Sequence, residues 1–422
     1  MRKITIKGPN ETVYEYHTKD GLTVFIWPNK FDNEVALNLG VKYGSIHTSF
    51  EVKNQIIKVP NGTAHFLEHI KFNESKDKTA HDYYFNHGSY VNAYTTYDHT
   101  LYEVISQNSV EEDLKHLIYF VYNPFFTEEL IEKEKPIIIE ESKSVLDNPY
   151  NISYEKLTNN LYIESNRKNL ITGKEEDIKK INIDDINNVF NNYYHPRNMF
   201  LVICGNVNPN KIIDIIEEEM ANYSFKKYSN PKWLCNKEPN KVHKKLDEIK
   251  VNVAMPKLMM GIKIPLTNLK DFNKREVLAY SKMLLDMNFG PLSLFNEYLI
   301  NQDLKDDITY YPSYEEDHLI ITFEVSSKYP SKVLDLIIDK FKHLKVNEKD
   351  FNRKMKSYIA NSILGYESGM EVAVTIIRDY IRFAKITSNY PQIIKKYNIK
   401  DMRKIRKHIN CNIYSAIILL PR

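Results

Sequence analysis

Residues 62–72 read Gly-Thr-Ala-His-Phe-Leu-Glu-His-Ile-Lys-Phe, and this stretch decides how the rest of the chain is interpreted. Its pattern predicts a helix that begins near Thr63 and carries the residues up to Phe72. On a helix, His65 and His69 are four residues apart, so their side chains lie on one face with Cβ atoms about 5–6 Å apart. Two imidazoles with this spacing can bind one tetrahedral metal at distances of about 2.0–2.1 Å.

The acidic residue of the same motif is Glu68, which lies close to the face of the two histidines. A carboxylate there can hold a water at the metal and accept its proton, because zinc lowers the pKa of that water towards about 7. An exposed helix with two histidines and a glutamate is the alternative, and the motif alone leaves it open. A catalytic zinc needs a third protein ligand and an open position.

Candidates for the third ligand lie in residues 128–142, Glu-Glu-Leu-Ile-Glu-Lys-Glu-Lys-Pro-Ile-Ile-Ile-Glu-Glu-Ser, a helix-like stretch. Periodicity does not choose among its acids, and a solvated helix face is the competing interpretation of each. The four acids considered are Glu132, Glu134, Glu140 and Glu141.

Two halves with a similar order of strands and helices are predicted, without strict β-α-β alternation. This order favours an α+β fold of two similar domains related by internal duplication, each a mostly antiparallel sheet packed by helices. We predict a zinc-binding catalytic domain at 1–215, a linker at 216–248 and a similar domain without zinc ligands at 249–422.

The strand and helix segments follow from β-rich runs bounded by turn residues and from helical patterns. Predicted strands are 21–28, 34–44, 89–97, 100–106, 199–207, 257–266, 318–326 and 415–420. Predicted helices are 63–72, 77–87, 110–122, 128–145, a segment after 184, 274–287 and 331–344.

Residues 62–72 followed by 131–142 resemble the pitrilysin/insulinase family of zinc peptidases with the inverted HxxEH motif. The resemblance implies that Glu141 is the third zinc ligand, and that Glu134 is a catalytic carboxylate beside the ligands. Pro136 stands where the family has a small residue; it is tolerable in a first helical turn and would kink the helix elsewhere.

The resemblance extends over most of the first half, through 43–46, 88–104, 121–129 and 193–209, and is strongest to short bacterial members that include processing peptidases. It implies that Asn92, Ala93, Tyr94 and Thr95 lie on an edge strand near the metal, and that Asn92, Ala93 and Tyr94 bind an extended peptide substrate. Packing of Tyr94 and Tyr97 against their neighbours is the structural alternative.

Family members that are active alone carry an arginine and a tyrosine in the second half, which stabilise the oxyanion. Here the matching positions are Leu299 and Asp306, and neither side chain can donate in that way. A slipped alignment to Tyr310 or Tyr311 would restore a tyrosine but no arginine. The resemblance therefore implies a heterodimer in which this chain carries zinc and a second family subunit supplies the Arg/Tyr pair.

The predicted function is a zinc-dependent endopeptidase acting on peptides, leader sequences or unfolded segments. The alternative is a non-catalytic scaffold subunit, although a scaffold is expected to have lost one of the four motif residues. The net charge of +3 gives no argument for nucleic acid or anionic membranes. No secretory signal or long apolar run is evident, so a cytoplasmic location is expected.

Overall fold

A computed structural model of the chain describes residues 1–366 and 368–422. Its strands are β1 (Arg2–Ile6), β2 (Glu11–His17), β3 (Thr23–Pro28), β4 (Val35–Val41), β5 (Ser49–Val52), β6 (Gln55–Lys58), β7 (Tyr90–Thr95), β8 (Thr100–Ser106), β9 (Met199–Gly205), β10 (Lys232–Trp233), β11 (Leu246–Val251), β12 (Lys257–Pro265), β13 (Asp307–Glu315), β14 (His318–Ser326) and β15 (Tyr414–Pro421). Its α-helices are α1 (Thr63–Lys71), α2 (Ala80–Asn86), α3 (Val110–Tyr122), α4 (Glu128–Val145), α5 (Pro149–Leu161), α6 (Glu175–Ile178), α7 (Ile183–Tyr193), α8 (Pro209–Met220), α9 (Lys274–Phe289), α10 (Leu294–Asn301), α11 (Pro330–Lys342), α12 (Glu348–Leu364), α13 (Gly369–Phe383), α14 (Tyr390–Lys395) and α15 (Ile399–Arg406).

The chain divides into two units, of which unit 1 contains Met1–Ser142, Leu170–Cys235 and Ala360–Pro391. Its seven-stranded sheet has the order β1-β2-β3-β9-β4-β8-β7. The pair β3 and β9 is parallel and the other pairs are antiparallel. A small sheet, β10-β5-β6, accompanies it.

The sequence of strand β9 is a continuous apolar run because both faces of the strand are buried. All seven of its residues are buried, and successive side chains enter two different cores. Leu201 and Ile203 belong to the core beneath α1, α3 and α7. Phe200 and Val202 belong to a second core, on the other face, that includes Ile376 of α13. A strand that is covered on both faces lacks the alternation of apolar and polar residues that a half-exposed strand shows.

Unit 2 contains Lys143–Asn169, Asn236–Ile359 and Gln392–Arg422. Its five-stranded sheet has the order β11-β15-β12-β14-β13, with β11 and β15 parallel and the rest antiparallel. Gly261 in β12 lies where an added Cβ would come within 3.1 Å of Leu161 on α5, so the missing side chain lets that helix pack closely on the sheet.

The two sheets share one topology. In unit 1 the five strands β3, β4, β7, β8 and β9 lie in the spatial order first, last, second, fourth, third. Strands β11 to β15 of unit 2 lie in the same order, and in both sheets the first and last strands form the one parallel pair. The α+β fold with two similar, mostly antiparallel halves is thus confirmed.

The predicted strands and helices are all present, with ends shifted by a few residues. Pro136 is the ninth residue of helix α4. It therefore lies outside the first turn, the position in which a helix tolerates proline. The helix continues, but the carbonyl of Glu132 loses the N–H that residue 136 would donate. Among the described residues no helix is long and apolar enough to cross a bilayer.

The predicted domain bounds differ from the contact-based units. Residue 215 falls inside α8, and the predicted linker also contains β10 and the first residues of β11. Unit 1 moreover includes 360–391, which the sequence placed in the second domain. The bounds 1–215, 216–248 and 249–422 stay a prediction.

Candidate active site

Helix α1 carries the histidine motif and begins at a well-defined N-cap. Gly62 is its N-cap, with φ of 87°, a left-handed conformation that favours glycine. Phe66 N–H donates to the Gly62 carbonyl at 2.8 Å, so helical bonding begins at once. His65 and Glu68 are buried at 8% and 6% exposure, whereas His69 is partly exposed.

The two imidazoles converge on one carboxylate of α4. The ring centroids of His65 and His69 are 4.5 Å apart. His65 Nε2 lies 3.6 Å from Glu141 Oε1, and His69 Nε2 lies 3.1 Å from Glu141 Oε2. Of the four acids that the sequence left open, Glu141 is the one that reaches both histidines.

These distances fit a metal. Two ligand atoms at 2.0–2.1 Å from a tetrahedral ion are about 3.3–3.4 Å apart, and the two observed distances bracket that value. Within the described residues, buried Glu141 Oε2 has no hydrogen-bond partner, although His69 Nε2 is only 3.1 Å away. The imidazole nitrogens and this carboxylate thus lie at distances from one another that a shared metal ion would accept.

A second set of atoms overlaps the first. His65, Glu68 and His69 each place a ligand atom within 4.8 Å of the others, the only such group among the residues that the structure describes. Glu68 therefore lies beside the histidine nitrogens, whereas Glu141 approaches them from another helix. Glu141 is thus the acid of α4 that reaches both histidines, and Glu68 is the acid of α1 that lies beside them.

Glu68 is held by the edge strand β7. Thr95 Oγ1 donates to Glu68 Oε2 at 2.5 Å. Burial raises the pKa of Glu68 above its ordinary value, while His65 and the Thr95 hydroxyl act against that increase. A carboxylate with a raised pKa and a fixed direction is suited to exchange protons near neutral pH.

Carboxylates determine the charge at the histidines. Burial by itself lowers the pKa of His69, but Glu134 and Glu141 outweigh it and raise the pKa to about 10. The His65 and His69 contacts hold the pKa of Glu141 well below its ordinary value. Glu68, Glu134 and Glu141 thus surround two imidazoles with an excess of negative charge, which favours a dication.

Glu134 contacts the outer nitrogen of His69. Its Oε1 lies 3.1 Å from His69 Nδ1, and seven residues, or two turns of α4, separate it from Glu141. A carboxylate in this place fixes the ring orientation of a ligating histidine and leaves Nε2 for the metal. Glu134 is placed to act through His69.

The predicted substrate residues lie at the sheet edge. Strand β7 is the last strand of the seven-stranded sheet and pairs with β8. Asn92 and Tyr94 are exposed and Ala93 is half-buried. The Tyr94 ring also contacts His99 edge-on, with centroids 6.0 Å apart, so the packing alternative is partly realised.

The positions aligned with the Arg/Tyr pair carry no suitable donor. Leu299 is fully buried in α10, and Asp306 is exposed before β13. Tyr310, the slipped alternative, donates its hydroxyl to Asp286 Oδ1 at 2.9 Å within unit 2.

The role of Thr95 as a partner of Glu68 was not predicted. Twenty-seven residues separate the two, and a threonine at the end of a strand has no distinguishing pattern. The alternation of β7 gives one signal, because Thr95 shares a face with Val91 and Ala93, which turn towards the protein.

Two mixed sheets of one topology, with an HxxEH helix and a carboxylate from a later helix beside the first, define the architecture of inverted-motif metallopeptidases. Residues 24–175 match the family model described as insulinase, peptidase family M16, and residues 180–358 match the M16 inactive domain.

Known relatives and solved structures agree with the match to the M16 family models. An uncharacterized zinc protease of Bacillus subtilis, YmfH, is 35% identical over 73% of this chain and 72% of its own length. The mouse mitochondrial-processing peptidase subunit beta is 28% identical over 37% of this chain and 32% of its own. An M16-like peptidase structure from Alicyclobacillus acidocaldarius has a TM-score of 0.90 at 24% identity and covers 97% of this chain and 98% of that one. The chain belongs to the insulinase family, M16.

Proposed function

We propose that the chain is a zinc-dependent endopeptidase that hydrolyses peptides or unfolded leader segments. The observation that carries the proposal is the approach of the Glu141 carboxylate to His65 Nε2 at 3.6 Å and to His69 Nε2 at 3.1 Å, with Glu68 within 4.8 Å of both histidines. The name zinc protease that relatives bear supports the choice of metal and reaction.

His65, His69 and Glu141 hold the zinc in this proposal. A bound zinc supplies Lewis acidity and makes hydroxide available near neutral pH. Glu134 keeps the His69 ring in the tautomer whose Nε2 is free to ligate.

Glu68 accepts the proton of the attacking water and later gives it to the leaving amine. The Thr95 hydroxyl fixes one oxygen of Glu68, which leaves Oε1 for that proton. The backbone of β7 at Asn92, Ala93 and Tyr94 pairs with an extended peptide, because an edge strand has unpaired N–H and C=O groups. This pairing brings the scissile bond to the same edge that holds Glu68.

Cleavage of a quenched fluorescent peptide by the zinc-loaded chain, assayed together with an Arg/Tyr-bearing family subunit, tests the reaction, with Glu68→Gln as the inactive variant. We expect the variant to bind zinc and to lose activity by at least a hundredfold, the usual lower range for general acid–base groups. Equal cleavage by both proteins would reject Glu68 as the base.

The ligand assignment has a matched pair of variants on one helix. Glu141→Gln should lose zinc affinity, whereas Glu140→Gln, its exposed neighbour, should retain it. The reverse result would move the ligand to Glu140.

We further propose that this chain is the zinc-bearing subunit of a heterodimer. Buried Leu299 and exposed Asp306 give the oxyanion no cationic donor. A relative named as subunit beta supports assembly with a second chain. Zinc-loaded protein that is inactive alone and becomes active with an Arg/Tyr-bearing family subunit is the expected result. Full activity of the chain alone would overturn the partner, but not the zinc site.

A non-catalytic scaffold remains the competing function. Retention of all four motif residues in one converging group argues against it. Zinc-loaded chain that stays inactive towards peptides with every family partner would favour the scaffold.

A further inference from the structure

We propose that Thr172 and Gly173 are positioning residues that set the distance between the two helices bearing the metal ligands. Together with their partners Gly62 and Ser142 they form what we call the 172–173 clasp. The inference rests on the proposed zinc site, to which α1 contributes two ligands and α4 the third.

On α4 the clasp holds the residue next to the ligand. Ser142 directly follows Glu141 and is 6% exposed. Its Oγ donates to the Gly173 carbonyl at 2.9 Å and accepts from Thr172 Oγ1 at 3.1 Å. The hydroxyl of Ser142 therefore uses its proton and a lone pair on two consecutive residues of one loop.

On α1 the clasp holds the N-cap. An added Cβ at Gly62 would lie 2.6 Å from the Thr172 carbonyl oxygen and 2.9 Å from Gly173 Cα. An added Cβ at Gly173 would lie 2.8 Å from Asn61 O and 3.0 Å from Gly62 Cα. The two backbones are in direct contact, and each glycine makes room for the other. Both have positive φ, of 87° and 81°.

The same loop is fastened beyond the glycines. Asn61 Nδ2 donates to Asp177 Oδ2 in α6 at 3.1 Å. Gly173 N–H donates to Leu170 O at 3.1 Å, which closes the loop into a turn. The 172–173 loop thus contacts both the start of α1, three residues before His65, and the turn of α4 that contains Glu141.

This connection acts on ligand spacing. A tetrahedral zinc site tolerates only small changes in ligand position, so a shift of α4 along α1 separates Glu141 from both imidazoles. Contacts outside the ligand set typically change metal affinity or activity by 10–100-fold. The side chain of Ser142 bonds to Thr172 and Gly173 rather than to a ligand side chain, so its effect on the metal passes through helix position.

The test measures zinc affinity of the full chain by competition with a chromophoric chelator, and the visible spectrum of the cobalt(II)-substituted protein. Ser142→Ala removes both hydroxyl contacts, and Gly173→Ala pushes the two backbones apart. For each we expect zinc affinity about tenfold weaker or more and a changed cobalt spectrum.

Two control variants match the chemistry away from the clasp. Ser106→Ala removes a buried hydroxyl that donates to Asp113 at 2.5 Å. Gly88→Ala adds a methyl at φ of 68°, where the described residues leave open space within 4 Å. Both should lower the thermal unfolding midpoint while leaving zinc affinity and the cobalt spectrum unchanged.

The outcomes separate this inference from the proposed function. Wild-type zinc affinity and cobalt spectrum in a folded Ser142→Ala protein would overturn the clasp and leave the peptidase proposal intact. Weakened zinc binding in the clasp variants, with no peptidase activity in wild type even beside an Arg/Tyr-bearing family subunit, would support the clasp and count against the peptidase. A wild-type chain that binds no zinc would overturn both. If Gly173→Ala does not fold, the milder Ser142→Ala decides.

Discussion

Unit 1 and unit 2 share a strand order but balance their buried charges in opposite ways. After the fourth strand, unit 1 has α3 and α4 with 13 and 18 residues, and unit 2 has α11 and α12 with 13 and 17. The seventh residue of α4 is Glu134, and the seventh residue of α12 is Lys354.

The charge partners differ accordingly. Glu134 and Glu141 face histidines, whereas Lys354 pairs with Asp286 of α9 at 3.4 Å. Tyr310 and Tyr358 also donate to Asp286, at 2.9 and 3.0 Å. Unit 2 thus neutralises its acid with two lysines of its own, Lys282 and Lys354, whereas the carboxylates of unit 1 face imidazoles. One topology supports both solutions, and the site follows from side chains rather than from the fold.

The largest expected loss of folding stability comes from the most buried ion pair of unit 2. Lys263 Nζ donates to Glu238 Oε1 at 2.8 Å, and both side chains are almost fully buried. Lys263→Ala leaves Glu238 without its cation and should lower the free energy of unfolding by about 3–5 kcal/mol. Lys257→Ala, exposed on the same strand, should change it by less than about 0.5 kcal/mol. Urea unfolding followed by circular dichroism measures both.

Zinc should stabilise unit 1 alone. At a hundred times its Kd, zinc adds about 2.7 kcal/mol to the stability of the unit that binds it. Trp27 and Trp233, the only two tryptophans of the chain, both belong to unit 1, so tryptophan fluorescence reports on that unit. Glu141→Gln should abolish the zinc effect and Lys354→Ala should leave it unchanged. A zinc effect that survives in Glu141→Gln would break the contrast between the units.

Asp286 tests whether internal pairing replaces the metal. Asp286→Ala removes hydrogen bonds from two tyrosines and the partner of Lys282 and Lys354, and should cost about 2 kcal/mol of stability. Zinc affinity should stay at the wild-type value. Asp339→Ala breaks an exposed pair with Lys342 and should cost at most about 1 kcal/mol. An equal loss in the two variants would show that the Asp286 group has no special weight.

The smallest expected effect is a pH dependence at Glu238. Burial acts to raise its pKa, but Lys263 and the backbone N–H groups of residues 163–165 outweigh it, so the pKa lies below the ordinary value. The unfolded state therefore binds this proton first as pH falls. The stabilisation is complete above about pH 5 and is lost as pH falls through the lower, folded pKa. The stability gap between wild type and Glu238→Gln should shrink on acidification, as measured by unfolding at a series of pH values.

Features that depend on local sequence were predicted better than features that depend on contacts between residues far apart in the chain. The motif spacing placed both histidines on one helix face, and the apolar runs located eight of the fifteen strands in the described residues. The strands that were not predicted are β1, β2, β5, β6, β10, β11 and β13. Glu141 needed the family resemblance, because four acids on one helix give periodicity no reason to choose. Thr95, Ser142 and Gly173 were missed because their partners lie 27 to 112 residues away, where local sequence carries no signal. The roles of the site residues and the cytoplasmic location stay predictions.

Helix α13 was missed as part of unit 1 for the same reason, and its position has a consequence for synthesis on the ribosome. It covers the second face of a sheet whose last strand ends at Gly205, yet it is complete only at Phe383, 178 residues later. At about 5–20 residues per second, that interval lasts roughly 9–36 s. Throughout it the nascent chain exposes Phe25, Trp27 and Phe200, a surface that a chaperone would recognise.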